Sequence, residues 1–336
     1  MRKKKRSNGR LKVIQRKNIR GIRILQPVCV ICNPLRQIIE YIEKKNNSRE
    51  LWYSKIYNCG FKVRNMSEIT VGVIGVGHFG KALIKGILTH ANRVQIILTD
   101  RDSKKVVWDE YHHTITGSSV RGVRSIESLK DESDVIIICV RPQNMDEVMK
   151  ELIDYNGLII SFAAGLPISY YENIKPNIKL IRAMSNLAIE YGCGIIGWVK
   201  NKNCNIVDES SYHKIFINLA YSFNYNIGQE SNLDTITAIS GSGIAYLAQV
   251  FDIIKEVSMN NGISDSSSEV IIHRTVRGVL AIMENTDAKL DEIVNMVASE
   301  GGTTEIGIQT MKKLGLQEAL TQGLTDTIEK CRKIRK

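Results

Sequence analysis

Two short stretches of this 336-residue chain hold residues whose types and spacing serve chemistry. The first, "GVGHFG" at 75–80, sets Gly75, Gly77 and Gly80 in the pattern G-x-G-x-x-G. In a strand–loop–helix unit the first glycine permits a tight turn, the second lets backbone approach a pyrophosphate, and the third lets helix and strand pack closely. The phosphates then sit at the positive helix N-terminus. The second stretch, "SEGGTT" at 299–304, stands at the start of a helix-like run. Free backbone amides and the helix dipole favour a small anion there, such as a carboxylate, and the hydroxyls of Thr303 and Thr304 add donors that adjust to a ligand. The same residues also make an ordinary helix start, with Thr303 or Thr304 as N-cap and Glu305 in the first turn. Residue chemistry alone leaves both open.

The elements around the glycine loop fit a dinucleotide site. A β-branched run from Ile69 precedes it, and an amphipathic helix with Ala82, Leu83, Ile84, Ile87 and Leu88 follows. "VQIILTD" then ends in Asp100-Arg101, at the offset where the adenosine ribose is read. Asp100 would accept from the 2'-hydroxyl of NADH, whereas Arg101, Lys104 and Lys105 would hold the 2'-phosphate of NADPH. Three cations against one carboxylate lean towards NADPH. Strand-like runs follow at 134–140, 157–165, 178–184 and 193–199. Near-continuous apolar strands alternating with helical segments predict a parallel sheet covered on both faces. Ligands on such sheets bind beyond the carboxyl ends of the strands, so "VRPQ" (140–143) and "AAG" (163–165) are expected to line the cofactor cleft.

After about residue 230 strand-like runs cease. The stretch 233–262 reads as a long apolar helix interrupted by Gly241-Ser242-Gly243. Two glycines inside a helix cost about 1 kcal/mol each relative to alanine, which suggests close approach of another backbone or a ligand and adds Ser242 to the candidate substrate residues. Further helices are expected at 265–285, 288–298, 303–314 and 317–335. Their apolar surface exceeds what the remaining residues can cover, which implies a partner subunit. The expected fold class is α/β: a Rossmann-type doubly wound sheet over 66–230, then an all-helical dimerisation and substrate domain over 231–336.

The net charge of +11 belongs to the first 65 residues, which carry 18 Lys and Arg against 3 Asp and Glu; the rest has 28 against 32. This extension reads as a disordered arm, or as residues preceding a native start at Met66. An organellar presequence and a nucleic-acid tail are the alternatives, but it is Lys-heavy with one early serine, and no aromatic pattern makes its charge specific. Cys29, Cys32, Cys59, Cys139, Cys193, Cys204 and Cys331 are an odd set without regular spacing, so no disulfide scaffold is expected and a reducing, cytoplasmic setting is favoured. Cys139 and Cys193 read as small core residues. Cys29-x-x-Cys32 lacks a second pair, and the adjacent His112 and His113 point to different sides, so no metal site is expected. No apolar run approaches the roughly 20 residues of a membrane span.

Taken together, the chain resembles pyrroline-5-carboxylate reductases. The resemblance runs from about residue 69 to 325 and rests on "GVIGVGHFGKALIKG", "VIIICVRPQ", "SFAAGLP", "IRAMSNLA", "AISGSGIAY" and "VASEGGTTEIGIQTMKKLGLQEAL", in the family's order and spacing. It implies NAD(P)H-dependent reduction of the cyclic imine 1-pyrroline-5-carboxylate to L-proline, the last step of proline biosynthesis. It also implies cofactor contacts from Ile74, Gly75, Val76, Gly77, His78, Phe79 and Gly80, from Thr99, Asp100 and Arg101, from Cys139, Val140, Arg141 and Pro142, and from Ala163, Ala164 and Gly165. Ser299, Gly301, Gly302, Thr303 and Thr304 would hold the substrate carboxylate, with Thr304 near the ring nitrogen as the catalytic residue. Members form interlocked homodimers, often assembled into decamers. Three departures stand out: Ser185, Ile244 and Glu300 replace prolines of the family motifs. Glu300 sets a negative charge beside a presumed anion site, which at about 8 Å would cost on the order of 2 kcal/mol unless it turns outward. These departures leave room for a different cyclic imine or ketoacid as substrate, or for an inactive homologue.

Overall fold

The computed structural model of the protein describes residues 68–105 and 116–334. The basic extension, Cys29, Cys32, Cys59, His112 and His113 lie outside the described residues. The strands are β1 (Ile69–Ile74), β2 (Val94–Thr99), β3 (Ser119–Gly122), β4 (Val135–Ile138), β5 (Leu158–Ser161), β6 (Lys179–Met184), β7 (Gly194–Lys200) and β8 (Ala220–Tyr225). They form one sheet in the order β3-β2-β1-β4-β5-β6-β7-β8. The order reverses between β1 and β4, where a doubly wound sheet opens its ligand crevice.

Helices α1 (His78–His90), α2 (Ile126–Glu132), α3 (Met145–Glu151), α4 (Ile168–Ile174) and α5 (Ile206–Phe216) cover the sheet. Alternation along β4 shows why its sequence is continuously apolar. Val135 and Ile137 pack into a core with Leu83 and Ile87 of α1 and Tyr212 and Phe216 of α5. Ile136 and Ile138 pack into the opposite core with Leu129, Met149 and Tyr171.

Three features differ from the sequence expectation. β7 runs antiparallel to β6, because residues 185–193 are too few for a parallel crossover, which needs about a dozen or more. The chain returns through a short helical turn at Leu187–Tyr191 and the left-handed Gly192. The edge strands β3 and β8 are additions. With one neighbour each, they alternate or carry polar residues instead of reading as apolar runs. Cys193 is exposed just before β7 and is not a core residue.

The helical region comprises α6 (Asn232–Ile236), α7 (Gly243–Asn260), α8 (Asp265–Asn285), α9 (Leu290–Val297), α10 (Thr303–Lys313) and α11 (Leu316–Ile334). Between α6 and α7 the chain makes a π-helical turn at Thr237–Gly241. The glycines therefore do not end the helix, and Asn232–Asn260 is one 29-residue run, long and apolar enough to cross a membrane. This overturns the expectation that no segment reaches such a length. The apolar side chains of the run are largely exposed in the protomer, including Leu247 (58%) and Ile254 (49%), as are Met296 (66%) and Val297 (60%) beyond it. α11 folds back against α6 and the π turn, with the Tyr246 hydroxyl 2.5 Å from Thr327 Oγ1.

Candidate active site

The glycine loop has the geometry its residues dictate. Gly75 adopts φ +98°, in the left-handed region that favours glycine, and its N–H donates to the Thr99 carbonyl at 2.9 Å. A Cβ on Gly80 would lie 2.1 Å from the Gly75 carbonyl oxygen, whereas one on Gly77 would meet nothing within 4 Å. The third glycine thus allows α1 to pack on β1, and the second leaves the loop open to a ligand. Gly77 is the N-cap of α1 and no side chain caps the helix, so its first amides remain for an anion. The residues fit a dinucleotide pyrophosphate at this position.

Asp100 does something the sequence reading did not foresee. Its Oδ2 accepts from the Val76 amide at 2.7 Å and its Oδ1 from the Asp102 amide at 2.9 Å, with Lys105 Nζ 3.8 Å from Oδ1. The carboxylate braces the loop from inside. Arg101 and Lys104 are exposed beside it.

Beyond the loop a cavity of about 250 Å³ opens at the carboxyl ends of the strands. Phe79 of α1, Cys139 after β4 and Phe162 after β5 line one side; Met184, Ser185, Asn186 and Leu187 at the end of β6 line the other, with Gly241 of the π turn. Phe79 and Phe162 pack with ring centroids 4.9 Å apart. Burial pushes the Cys139 thiol well above its ordinary value, so it is a neutral, apolar wall rather than a nucleophile. Strands β4 and β5 end earlier than their apolar runs, and this releases Cys139 and Phe162 into the crevice.

Of the residues expected at the cofactor, Phe79 and Cys139 line this cavity. Ile74, Gly75, Val76, Gly77, His78 and Gly80 form the loop itself, and Thr99, Asp100 and Arg101 flank it. Val140, Arg141 and Pro142 continue from Cys139, with Arg141 exposed. Ala163 is buried, Ala164 is half-buried, and Gly165 is closed off: a Cβ there would lie 2.6 Å from Ile334 Cβ and 2.8 Å from the Cys331 carbonyl. The end of α11 occupies that space, so "AAG" offers the cleft little beyond Ala164. Phe162, Met184, Ser185, Asn186, Leu187 and Gly241 were absent from the expected set, although "IRAMSNLA" and the glycine break pointed to most of their segments.

Two polar ties join the β6 side of the cavity to the helical region. Arg182, fully buried on β6, donates from Nη1 to Glu230 Oε1 at 2.7 Å and from Nη2 to Asp234 Oδ1 at 3.3 Å; Glu230 Oε1 also accepts from the Ile168 amide at 2.8 Å. A buried guanidinium needs such partners to offset its desolvation. Nearer the cavity, Asn186 Nδ2 donates to Ser240 Oγ at 2.7 Å and Asn186 Oδ1 accepts from the Ala188 amide at 3.1 Å. The neighbouring Ser185 hydroxyl is buried without a hydrogen-bond partner among the described residues.

The "SEGGTT" turn lies elsewhere in the protomer, and none of its residues is among those lining the cavity. Neither threonine caps α10: the N-cap is Gly302, with no side-chain cap bond. Gly302 N–H donates to the Ser299 carbonyl at 2.9 Å, and Gly301 N–H donates to Glu305 Oε2 at 2.7 Å. The threonine-cap alternative is therefore corrected: Gly301 at φ +70° turns the chain, Gly302 stands at the N-cap, and Glu305 in the first turn reaches back to the amide ahead of the cap. Ser299, Glu300, Gly301 and Thr303 are exposed and Thr304 is half-buried. Ser242 lies outside the cavity lining too; its N–H closes the π turn on the Thr237 carbonyl at 2.8 Å. Among the described residues no three His, Cys, Asp or Glu side chains gather as metal ligands.

Comparison with known proteins fits this division. Residues 230–334 match the family model described as pyrroline-5-carboxylate reductase dimerisation. Over this region the chain is similar to pyrroline-5-carboxylate reductases. Residues 70–165 match a second model, NADP oxidoreductase coenzyme F420-dependent. The pyrroline-5-carboxylate reductase of Aquifex aeolicus is 26% identical over 79% of this chain and 97% of its own length; that of Methanosarcina acetivorans is 26% identical over 81% and 100%. The crystal structure of Plasmodium falciparum pyrroline carboxylate reductase with NADP bound shares the fold, with a TM-score of 0.70 at 23% identity over 81% of this chain and 100% of that one. The Streptococcus pyogenes enzyme also has a TM-score of 0.70, at 22% identity over 79% and 99%. The match to a dimerisation model falls on the helical region whose apolar side is exposed in the protomer.

Proposed function

We propose that this protein reduces 1-pyrroline-5-carboxylate to L-proline with NAD(P)H. The observation that carries the reading is the continuity of one path: an uncapped helix N-terminus at Gly77 leads into a cavity whose far wall includes the π turn of the dimerisation module. When bound, the nicotinamide supplies the hydride that converts the protonated ring C=N to a secondary amine. The chain supplies the rest. The amides at the start of α1 hold the pyrophosphate, Phe79, Phe162 and Met184 exclude water from the reacting carbon, and the β6 end fixes the opposite wall. Positioning of this kind lowers the barrier by converting an encounter into a held geometry.

The same reading places Ser299, Gly301, Gly302 and Thr303 on the substrate carboxylate and gives Thr304 the hydrogen bond to the ring nitrogen, with the proton drawn from water. In one protomer this turn is exposed, which is what a site completed by a second copy requires. Glu300 is exposed in the protomer together with that turn. We further infer a homodimer built on α7–α11, assembled into a decamer, and a preference for NADPH: Asp100 is engaged with its own loop, leaving Arg101 and Lys104 to meet the ribose end of the cofactor.

A second reading, reduction of another cyclic imine or a ketoacid, draws on Ser185, whose buried hydroxyl borders the cavity where the family has proline. Purified protein given NADPH and 1-pyrroline-5-carboxylate is expected to consume NADPH. NADPH binding without consumption would sink the first reading, and turnover of other imines or ketoacids in the same assay would select the second.

A further inference from the structure

The π turn at Thr237–Gly241 departs from helical geometry inside an otherwise continuous run. It closes on the Ser242 N–H to Thr237 carbonyl bond, and the Thr237 hydroxyl bonds back to the Leu233 carbonyl at 2.7 Å, a contact that bends helices. Such bulges are uncommon and gather at functional sites. This one inserts an extra residue into the turn, so the residues after it face in a different direction than an α-helix would give them. Two consequences are visible. Gly241 comes to the cavity, where a Cβ would lie 3.6 Å from the Ser185 carbonyl, and Ser240 presents its hydroxyl to Asn186.

Asn186 and Ser185 are neighbours on the same wall, both buried to 8% exposure, yet they are held differently. The Ser185 hydroxyl has no partner among the described residues. The Asn186 amide is bound at both ends, and the pattern of donors fixes its orientation: Oδ1 must face the Ala188 amide, so Nδ2 faces Ser240. Ser240 itself is not among the residues lining the cavity.

We propose that Ser240 is a positioning residue of the active site, acting through Asn186, and that the π turn is what brings its hydroxyl there. The proposal rests on the reductase reading for its chemistry but not for its geometry. In the full-length protein, Ser240→Ala is expected to lower kcat roughly tenfold, the worth of about one hydrogen bond, with the Kd for NADPH within about twofold of wild type because the dinucleotide loop is untouched. Ser240→Thr, which keeps the hydroxyl, is expected to restore turnover. In an Asn186→Ala background the Ser240→Ala change should add nothing. Multiplying losses in the double variant, a Ser240→Thr enzyme as slow as Ser240→Ala, or an unaltered Ser240→Ala enzyme would each overturn the proposal. Emission of bound NADPH supplies a readout independent of substrate. If wild type binds NADPH but does not reduce 1-pyrroline-5-carboxylate, the reductase reading fails, and a nicotinamide emission changed in Ser240→Ala and restored in Ser240→Thr still upholds the positioning role. Emission identical in all three would overturn it.

Discussion

The sheet domain and the helical domain of this chain handle their apolar residues in opposite ways. Around the sheet, two cores bury nearly every residue of the central strands β1, β2 and β4–β7, with α1 and α5 on one face and α2, α3 and α4 on the other. Along α7–α11, Ile293 and Cys331 are the buried hydrophobic side chains, while Leu247, Ile254 and Met296 stand exposed. A parallel sheet closed on both faces satisfies itself within one chain. A layer of amphipathic helices with nothing above it does not, and a patch of that size marks an interface. On the function proposed above, one half of the active site is finished by folding and the other is completed by association.

Breaking the unfinished half should have the largest effect. Leu247→Asp combined with Ile254→Asp is expected to give monomers by light scattering and to lower turnover roughly 100-fold or more, as truncating interface anchors does. An intact dimer with full turnover would falsify the assignment of this face. Breaking the finished half should act through stability instead. Gly80→Ala would place a methyl 2.1 Å from the Gly75 carbonyl, at a cost of about 3 kcal/mol for an overpacked contact. A melting temperature lowered by about 10 °C, with NADPH binding lost, is the expected calorimetric result.

Smaller effects sharpen the contrast between cofactor and substrate ends. Arg101→Ala should raise KM for NADPH about tenfold, the loss of one charge-assisted hydrogen bond, and leave KM for NADH unchanged; equal KM values for NADPH in both proteins would remove Arg101 from the 2'-phosphate. Thr304→Ala should lower kcat about tenfold at constant NADPH affinity, and unaltered turnover would take Thr304 out of the mechanism. Smallest of all is the effect of a thiol reagent. Because burial holds the Cys139 thiol above its ordinary value, iodoacetamide at mildly alkaline pH should leave NADPH binding intact, and rapid loss of binding that maps to Cys139 would show that its thiol ionises after all.

Much of this was readable from residues. Local rules determine the glycine loop, because G-x-G-x-x-G between a strand and a helix admits few backbone paths. Apolar runs determine the central strands, because burial on both faces leaves little room for polar residues, and the buried Arg182 on β6 is held by its own ion pairs. The edge strands β3 and β8 escaped, since a half-covered strand carries no such run. The role of Asp100 escaped as well: a carboxylate at the ribose offset looks the same in sequence whether it faces a ligand or its own loop. So did the start of α10, where the left-handed Gly301 turns the chain so that Gly302, and neither threonine, stands at the N-cap.

By itself the sequence determined the α/β class, the position of the dinucleotide loop, the switch to helices near residue 230 and the resemblance to pyrroline-5-carboxylate reductases, because each depends on patterns local in the chain. Only the tertiary structure decided the antiparallel β7, the closure of Gly165 by the end of α11, the brace from Asp100 to Val76 and the tie between Asn186 and Ser240. Those depend on which segments, distant in sequence, come to share one space, and neither hydrophobic periodicity nor motif spacing carries that information.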